Sequence, residues 1–235
     1  MRVRRLAAVV ALALAAGPAL TGCRSQPGVA VYLGDRRVSA AEVDGIVKAV
    51  NGESDRRLAA WVHARATNPG SLPPPMVRTS GTEVVSLIVL AGLGRRVIGE
   101  RGLDTRQVPV DTVAETFGLA PTDPYVALWV DYLTGLQSVA AAEPARPLTD
   151  DEADRLYTAG AAGPDADYDD AIHTFKSSVG LATLFEAQGR LGAAMGAAGV
   201  SVNPRYGPVV LPVVLNGRHL DVGFPDDGGG PVEED

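Results

Sequence analysis

Cysteine is almost missing. The 235-residue chain has one, which excludes a disulfide framework and any Cys-rich zinc or iron–sulfur site, and its three scattered histidines argue against a His-built metal centre. Lysine is nearly absent too: of 21 cationic residues only Lys48 and Lys176 are lysines. The 28 acids outnumber the cations, and a formal charge of −7 argues against electrostatic binding of nucleic acid, which needs a basic surface. Aromatics make up 5% of the chain. Against these shortages stands a 46% share of apolar residues, enough to bury a core, which rules out wholesale disorder.

The first residues read as an address. Arg2, Arg4 and Arg5 form a cationic start, and residues 6–20 form an apolar stretch. That stretch falls short of the ~20 residues a helix needs to cross the hydrocarbon of a bilayer, and small residues follow it. Leu20-Thr21-Gly22-Cys23 then has the form of a lipobox, so residues 1–22 are expected to be a lipoprotein signal peptide and Cys23 the lipidated residue. The alternative is an ordinary secretory signal with a free thiol; it is disfavoured because the single cysteine falls where lipidation requires it. Cleavage would remove three arginines and no acid, leaving 18 cations against 28 acids, a formal charge of −10. An acidic body is repelled by anionic headgroups, so residence at the membrane is expected to come from the lipid, whose two diacylglycerol chains suffice for stable anchoring.

Residues 23–28 read as a tether, 29–224 as a single domain and 225–235 as a Gly-rich acidic tail expected to be disordered. Residues 29–33 are a β-type run ended by Gly34-Asp35. Ser39 and Glu42 predict a capping box and a helix that stops near Asn51-Gly52, with a second helix over 54–66. The loop 68–76 holds four prolines and a glycine and must be extended. Ser80 with Glu83 opens a helix to about residue 100; further helices fit 109–117 and 123–141. Thr149 with Glu152 precedes another at 153–159. The final helix is expected to run unbroken over 167–198, with Tyr168, Ile172, Phe175, Val179 and Ala182 on one stripe, and Gly189, Gly192 and Gly196 leaving room for another backbone. Residues 209–215 and 218–222 are β-type, joined by Asn216-Gly217, which favours a tight hairpin.

Catalytic patterns are scarce. No G-x-S-x-G pentapeptide occurs, and His63, His173 and His219 lack a neighbouring nucleophile. Gly92-Leu93-Gly94 lies mid-helix with Val97 where a dinucleotide loop needs glycine, so it reads as a small-residue helix contact. Asp165, Asp167 and Asp169 have the spacing that opens a calcium loop, yet Asp170 replaces its glycine and Lys176 its glutamate, so a helix N-terminus is the better reading. Trp61, Tyr125, Trp129 and Tyr132 fit either a peptide groove or, more readily, a core. No catalytic, cofactor-binding or metal residue is assigned; Cys23 is the one assigned site, for lipidation.

Three stretches now combine. Val29-Ala-Val-Tyr-Leu-Gly-Asp-Arg-Arg-Val-Ser-Ala-Ala-Glu-Val-Asp44, Arg96-Val-Ile-Gly-Glu-Arg-Gly-Leu103 and Val202-Asn-Pro-Arg-Tyr-Gly207 resemble the N-terminal module of SurA/PrsA-type extracytoplasmic chaperones, of the small bacterial lipoprotein kind. The resemblance implies a mainly α fold, a SurA N-terminal-like helical module that binds unfolded or partly folded secreted polypeptides through apolar surface. The parvulin prolyl-isomerase domain of that family, with its Gly-Gly-x-Leu-Gly segment, has no counterpart here, so catalysis is not carried over. The chain's ends are expected to meet in a small β-sheet formed by the N-terminal strand and the C-terminal hairpin, with the first helix packed on the last. The alternative function is a small-ligand receptor or an enzyme with an unrecognised site; it needs convergent polar groups, which the sequence does not display.

Overall fold

The computed structural model describes residues 26–223, apart from residues 27, 75, 145, 164, 216 and 217. Residues 1–22, expected to be a signal peptide, together with Cys23, Asn216-Gly217 and the acidic tail, lie outside the described residues. The chain is mainly helical, with seven helices and a small antiparallel sheet among the described residues. The elements are β1 (Val29–Leu33), β2 (Arg36–Ser39), α1 (Ala40–Arg65), α2 (Gly81–Arg101), α3 (Val110–Phe117), α4 (Pro124–Ala140), α5 (Asp150–Thr158), α6 (Tyr168–Ser177), α7 (Val179–Ala197), β3 (Val200–Val202), β4 (Val210–Leu215) and β5 (Arg218–Gly223).

Helix α2 organises the rest. It runs Val84-Val85-Ser86-Leu87-Ile88-Val89-Leu90-Ala91 with every one of these residues buried, and a helix apolar on all sides must be enclosed on all sides. It packs against α4 most extensively, and also against α1, α7, β1 and β4. Two glycines set the α2–α4 distance. A Cβ on Gly94 would lie 2.8 Å from the Gly135 Cα, so neither position has room for a side chain. The Gly92-Leu93-Gly94 segment is thus the small-residue helix contact expected of it; Gly92 lies against the Leu33 side chain of β1.

Several local expectations change. Helix α1 does not stop at Asn51-Gly52 but continues to Arg65, 26 residues in all. Asn51 turns no corner because its amide is engaged elsewhere: Nδ2 donates to the Thr79 carbonyl and Oδ1 accepts from the Thr79 N–H, each at 3.0 Å. The Ser54 hydroxyl donates to the Val77 carbonyl one turn on. The final helix, by contrast, breaks. Ser178 adopts φ −91° and ψ 95°, separating α6, which packs on α5, from α7, which packs on α4 and α2. Serines compete for backbone hydrogen bonds and tolerate such a break; the Ser177 hydroxyl donates to the Thr174 carbonyl. Gly189 and Gly196 face open space, so no second backbone uses them.

The sheet closes differently from expectation. Strand β1 sits between β2 and β3, antiparallel to both, with Val31 opposite Val38 and Val202. The hairpin β4–β5 forms, with Leu215 opposite Arg218, but as a separate two-stranded sheet against α2. The chain's ends therefore meet through β3, three residues that read as a mere continuation into the turn. Helix α1 packs on α2 and the N-terminal strands rather than on the last helix.

Two neighbouring glycines of α2 predict opposite outcomes. Gly94→Ala should destabilise by about 1–3 kcal/mol through overpacking against Gly135. Gly99→Ala, where an added Cβ meets nothing within 4 Å, should stabilise by up to about 1 kcal/mol through helix propensity. Thermal or denaturant melts of the two variants check the pair.

Candidate functional site

The aromatic residues cluster where α3 meets α4. Asp123 caps α4 by accepting from the Tyr125 N–H at 2.8 Å, with Pro124 at the first helical position. Residues four and then three apart, Tyr125, Trp129 and Tyr132, then fall on one face of α4. Phe117, at the end of α3, lies 5.5 Å from Tyr125 and 5.2 Å from Trp129, and Trp129 lies 5.5 Å from Tyr132, ring centre to ring centre. All three α4 aromatics are buried. The core reading therefore holds for Tyr125, Trp129 and Tyr132. Trp61 is elsewhere, half-buried on the last turns of α1, where its indole N–H donates to the Ser71 carbonyl at 3.2 Å.

Two of these core aromatics also form the floor of a groove. A cavity of about 370 Å³ opens between α3 (Val113, Phe117), α4 (Trp129, Tyr132, Leu133, Leu136), α7 (Leu184) and β4 (Leu211, Pro212). Among the described residues Thr112, Thr116 and Gln137 are polar members of its lining, and no charged side chain lines it. Tyr132 is fully buried, and its hydroxyl donates to the Pro212 carbonyl at 3.0 Å, fastening the hairpin as one wall. The Ser86 hydroxyl of α2 accepts from the Val210 N–H and holds the same strand from behind. Burial pushes the Tyr132 phenol well above its ordinary pKa, so it stays a neutral donor. Burial first, and then the charge of Glu83, do the same to Tyr125, whose hydroxyl donates to Glu83. At the start of α2 Ser80 accepts from the Glu83 N–H, while the Glu83 carboxylate accepts from the Tyr125 hydroxyl.

A second constellation is charged. Arg101 at the end of α2 pairs with Glu143, Glu143 with Arg190 of α7, Arg190 with Glu186, Glu186 with Arg146, and Arg146 with Glu152. Nothing in the sequence signals this chain, because its members are spread over 90 residues and come together only when α2, α7 and the 141–149 connection pack. Thr149 and Glu152 close a two-way capping box at the start of α5. The hydrogen bond from Arg146 is the main reason the Glu152 carboxyl is lowered to about 2, against the opposing effect of burial. Glu143 is also lowered, chiefly by its hydrogen bond from Arg101. Every cation here already faces a carboxylate, so the network holds elements together and offers no unpaired group for chemistry.

The Asn203-Pro204-Arg205-Tyr206-Gly207 segment is a clasp. Asn203 donates through Nδ2 to the Val29 carbonyl and through its backbone N–H to the Ala30 carbonyl, and its side chain accepts from the Arg205 N–H. Arg205 reaches both carboxylate oxygens of Asp44 on α1, at 2.8 and 2.9 Å. The Tyr206 ring is buried against Gly81, where a Cβ would come within 2.8 Å of it. One short turn thus ties β1, α1 and the start of α2 to the far end of the chain.

Other sequence candidates do not converge. His63 on α1 and His173 on α6 are both exposed and lie on different elements. Asp167 caps α6, accepting from the Asp170 N–H, as the helix-start reading expects. Among the described residues no three His, Cys, Asp or Glu side chains gather at metal-binding spacing.

Glu152 makes stability pH-dependent. Its folded pKa lies below the unfolded value near 4.3, so the stabilisation is complete above that value and is lost as the pH falls towards 2. On the order of 2–3 kcal/mol should disappear across that window. Melting curves from pH 7 to pH 2 should show this loss in the wild type and a flatter profile in Glu152→Gln, already weakened at neutral pH.

No family model, curated protein or solved structure matches the chain.

Proposed function

We propose that this chain is a membrane-anchored extracytoplasmic lipoprotein, tethered through Cys23, that holds unfolded or assembling secreted polypeptides without catalysing a reaction on them. The observation that carries this reading is the apolar groove. It is about 370 Å³ in volume, is lined on four sides by separate elements, and has no charged side chain among its described lining residues. Its mainly apolar lining suits apolar side chains of an extended segment, which gain by leaving water there. Among its described lining residues polar side chains are few, which suits tolerance of many sequences over selection of one ligand. The resemblance to SurA/PrsA-type modules points the same way. The receptor or enzyme alternative needs convergent polar groups; among the described lining residues these include Thr112, Thr116, Gln137 and the Tyr132 hydroxyl, and the last already donates to the Pro212 carbonyl.

The tether belongs to the same reading. No helix of the described residues is long and apolar enough to cross a membrane, so membrane residence is assigned to acylation of Cys23. Cys23→Ala should accumulate as an unprocessed precursor or leave the membrane fraction. A mature-size, membrane-bound Cys23→Ala protein would overturn the anchor.

Client holding is tested with residues 24–235, which contain every described element. The protein should suppress aggregation of a reduced, unfolding test protein. Leu133→Glu and Leu184→Glu, both on half-buried lips of the groove, should lose at least about tenfold of that activity, since burying an unpaired charge costs several kcal/mol. Their own melts should confirm that they remain folded. Equal suppression by folded variants, or none by the wild type, would defeat the reading.

A further inference from the structure

A chain with 28 acids has none between residues 56 and 82, where Arg56, Arg57, Arg65 and Arg78 fall. This stretch is the outer part of α1 and the Pro-rich loop that returns from it. It is also where the surface is most apolar. Six large apolar side chains are exposed among the described residues, and Leu58, Val62, Leu72 and Met76 of this arm are four of them; Leu72 is 85% exposed. Trp61 joins helix to loop through its hydrogen bond to the Ser71 carbonyl, and the Arg65 guanidinium lies 5.1 Å from the centre of its ring. Arg56 and Arg78 pair with Glu53 and Asp55 at the root of the arm, while Arg57 donates to the Gly118 carbonyl. The tip thus presents Trp61, Val62, Leu72, Arg65 and His63, with no carboxylate among them.

We propose that the tip of this arm docks on the surface of an anionic lipid bilayer. Its chemistry matches that partner on each count. An indole sits at headgroup level, exposed aliphatic side chains enter the acyl boundary, and Arg65 meets lipid phosphate while its stem covers apolar surface. Local positive charge is attracted to anionic headgroups, at a protein surface whose remainder is acidic and repelled by them. The contact therefore orients the molecule as well as holding it. The orientation, though not the docking itself, rests on the anchored reading above. The chain enters at Gly28, whose carbonyl accepts the Ala40 N–H at the start of α1. The arm is at the other end of that helix, about 39 Å away at the usual rise per residue. A lipid at one end and a docked tip at the other lay α1 along the membrane.

The test uses residues 24–235, which bear no acyl chain, so failure of the Cys23 anchor leaves it unaffected. Vesicles of phosphatidylcholine alone are compared with vesicles containing a third phosphatidylglycerol. Binding should be at least about tenfold greater to the anionic vesicles and should weaken as salt is raised. The chain has two tryptophans, and Trp129 is 1% exposed, so a blue shift of emission on binding reports Trp61; Trp61→Phe should bind without the shift. Val62→Asp combined with Leu72→Asp, both on exposed positions, should abolish vesicle binding while melting and client capture stay at wild-type levels. Equal binding to both vesicle types, binding without a Trp61 shift, or binding retained by the double variant would each overturn the proposal. Arm-dependent retention on poly-glutamate with no vesicle binding would overturn it in favour of an acidic protein partner. Loss of client capture with vesicle binding intact would instead strike the groove reading alone.

Discussion

Everything in this fold is arranged around enclosing α2. A helix with eight consecutive buried residues leaves no side for solvent, so α1, α4, α7, β1 and β4 are recruited to cover it. The enclosure has two demanding points. One is steric, the Gly94–Gly135 approach that lets α4 lie close enough to seal the longest side. The other is polar: Glu83, buried at the start of the helix, is held by the Tyr125 hydroxyl and by the Ser80 cap at its own N–H. A carboxylate buried without such partners would be strongly destabilising.

The same enclosure makes the groove. Strand β4 is drawn against α2 by Ser86 and against α4 by Tyr132, which places Leu211 and Pro212 opposite Leu133, Leu136 and Leu184 without filling the space between. The aromatic face of α4 thus serves two ends at once, filling the core and, through Trp129 and Tyr132, flooring the groove. Meanwhile the Asn203–Tyr206 turn and strand β3 bring the chain's two ends to a common place beside Asp44. On the anchored reading, this clasp sits at the root of the tether, where a load from the membrane would first be felt.

Charge divides the molecule in a way that its total conceals. The acidic excess belongs to the body, and the arm made by the end of α1 and its return loop has no acid at all. An apolar groove on the body and a cationic, apolar arm are two surfaces of different chemistry. They suit a protein that holds one kind of partner while facing another.

The sequence by itself determined most of the helix starts. Ser39, Ser80, Asp123, Thr149 and Asp167 all cap helices as hydroxyls and carboxylates do before an apolar run, and the apolar spacing fixed the buried faces. It also determined the pairing of β4 with β5. Tertiary structure decided the rest. Asn51-Gly52 is a helix end in isolation, and only the backbone of Thr79, 28 residues away, removes it. The 167–198 stripe reads as one helix, yet α5 claims its first part and α4 with α2 its second, and Ser178 yields. Strand β3 is too short to announce itself, and it displaced the hairpin because its pairing with β1 needs only the register that the Asn203 hydrogen bonds impose. The groove and the arginine–glutamate chain were invisible for one reason. Both are made of residues whose only relation is the distance between elements, and that distance is set by how α2 is covered.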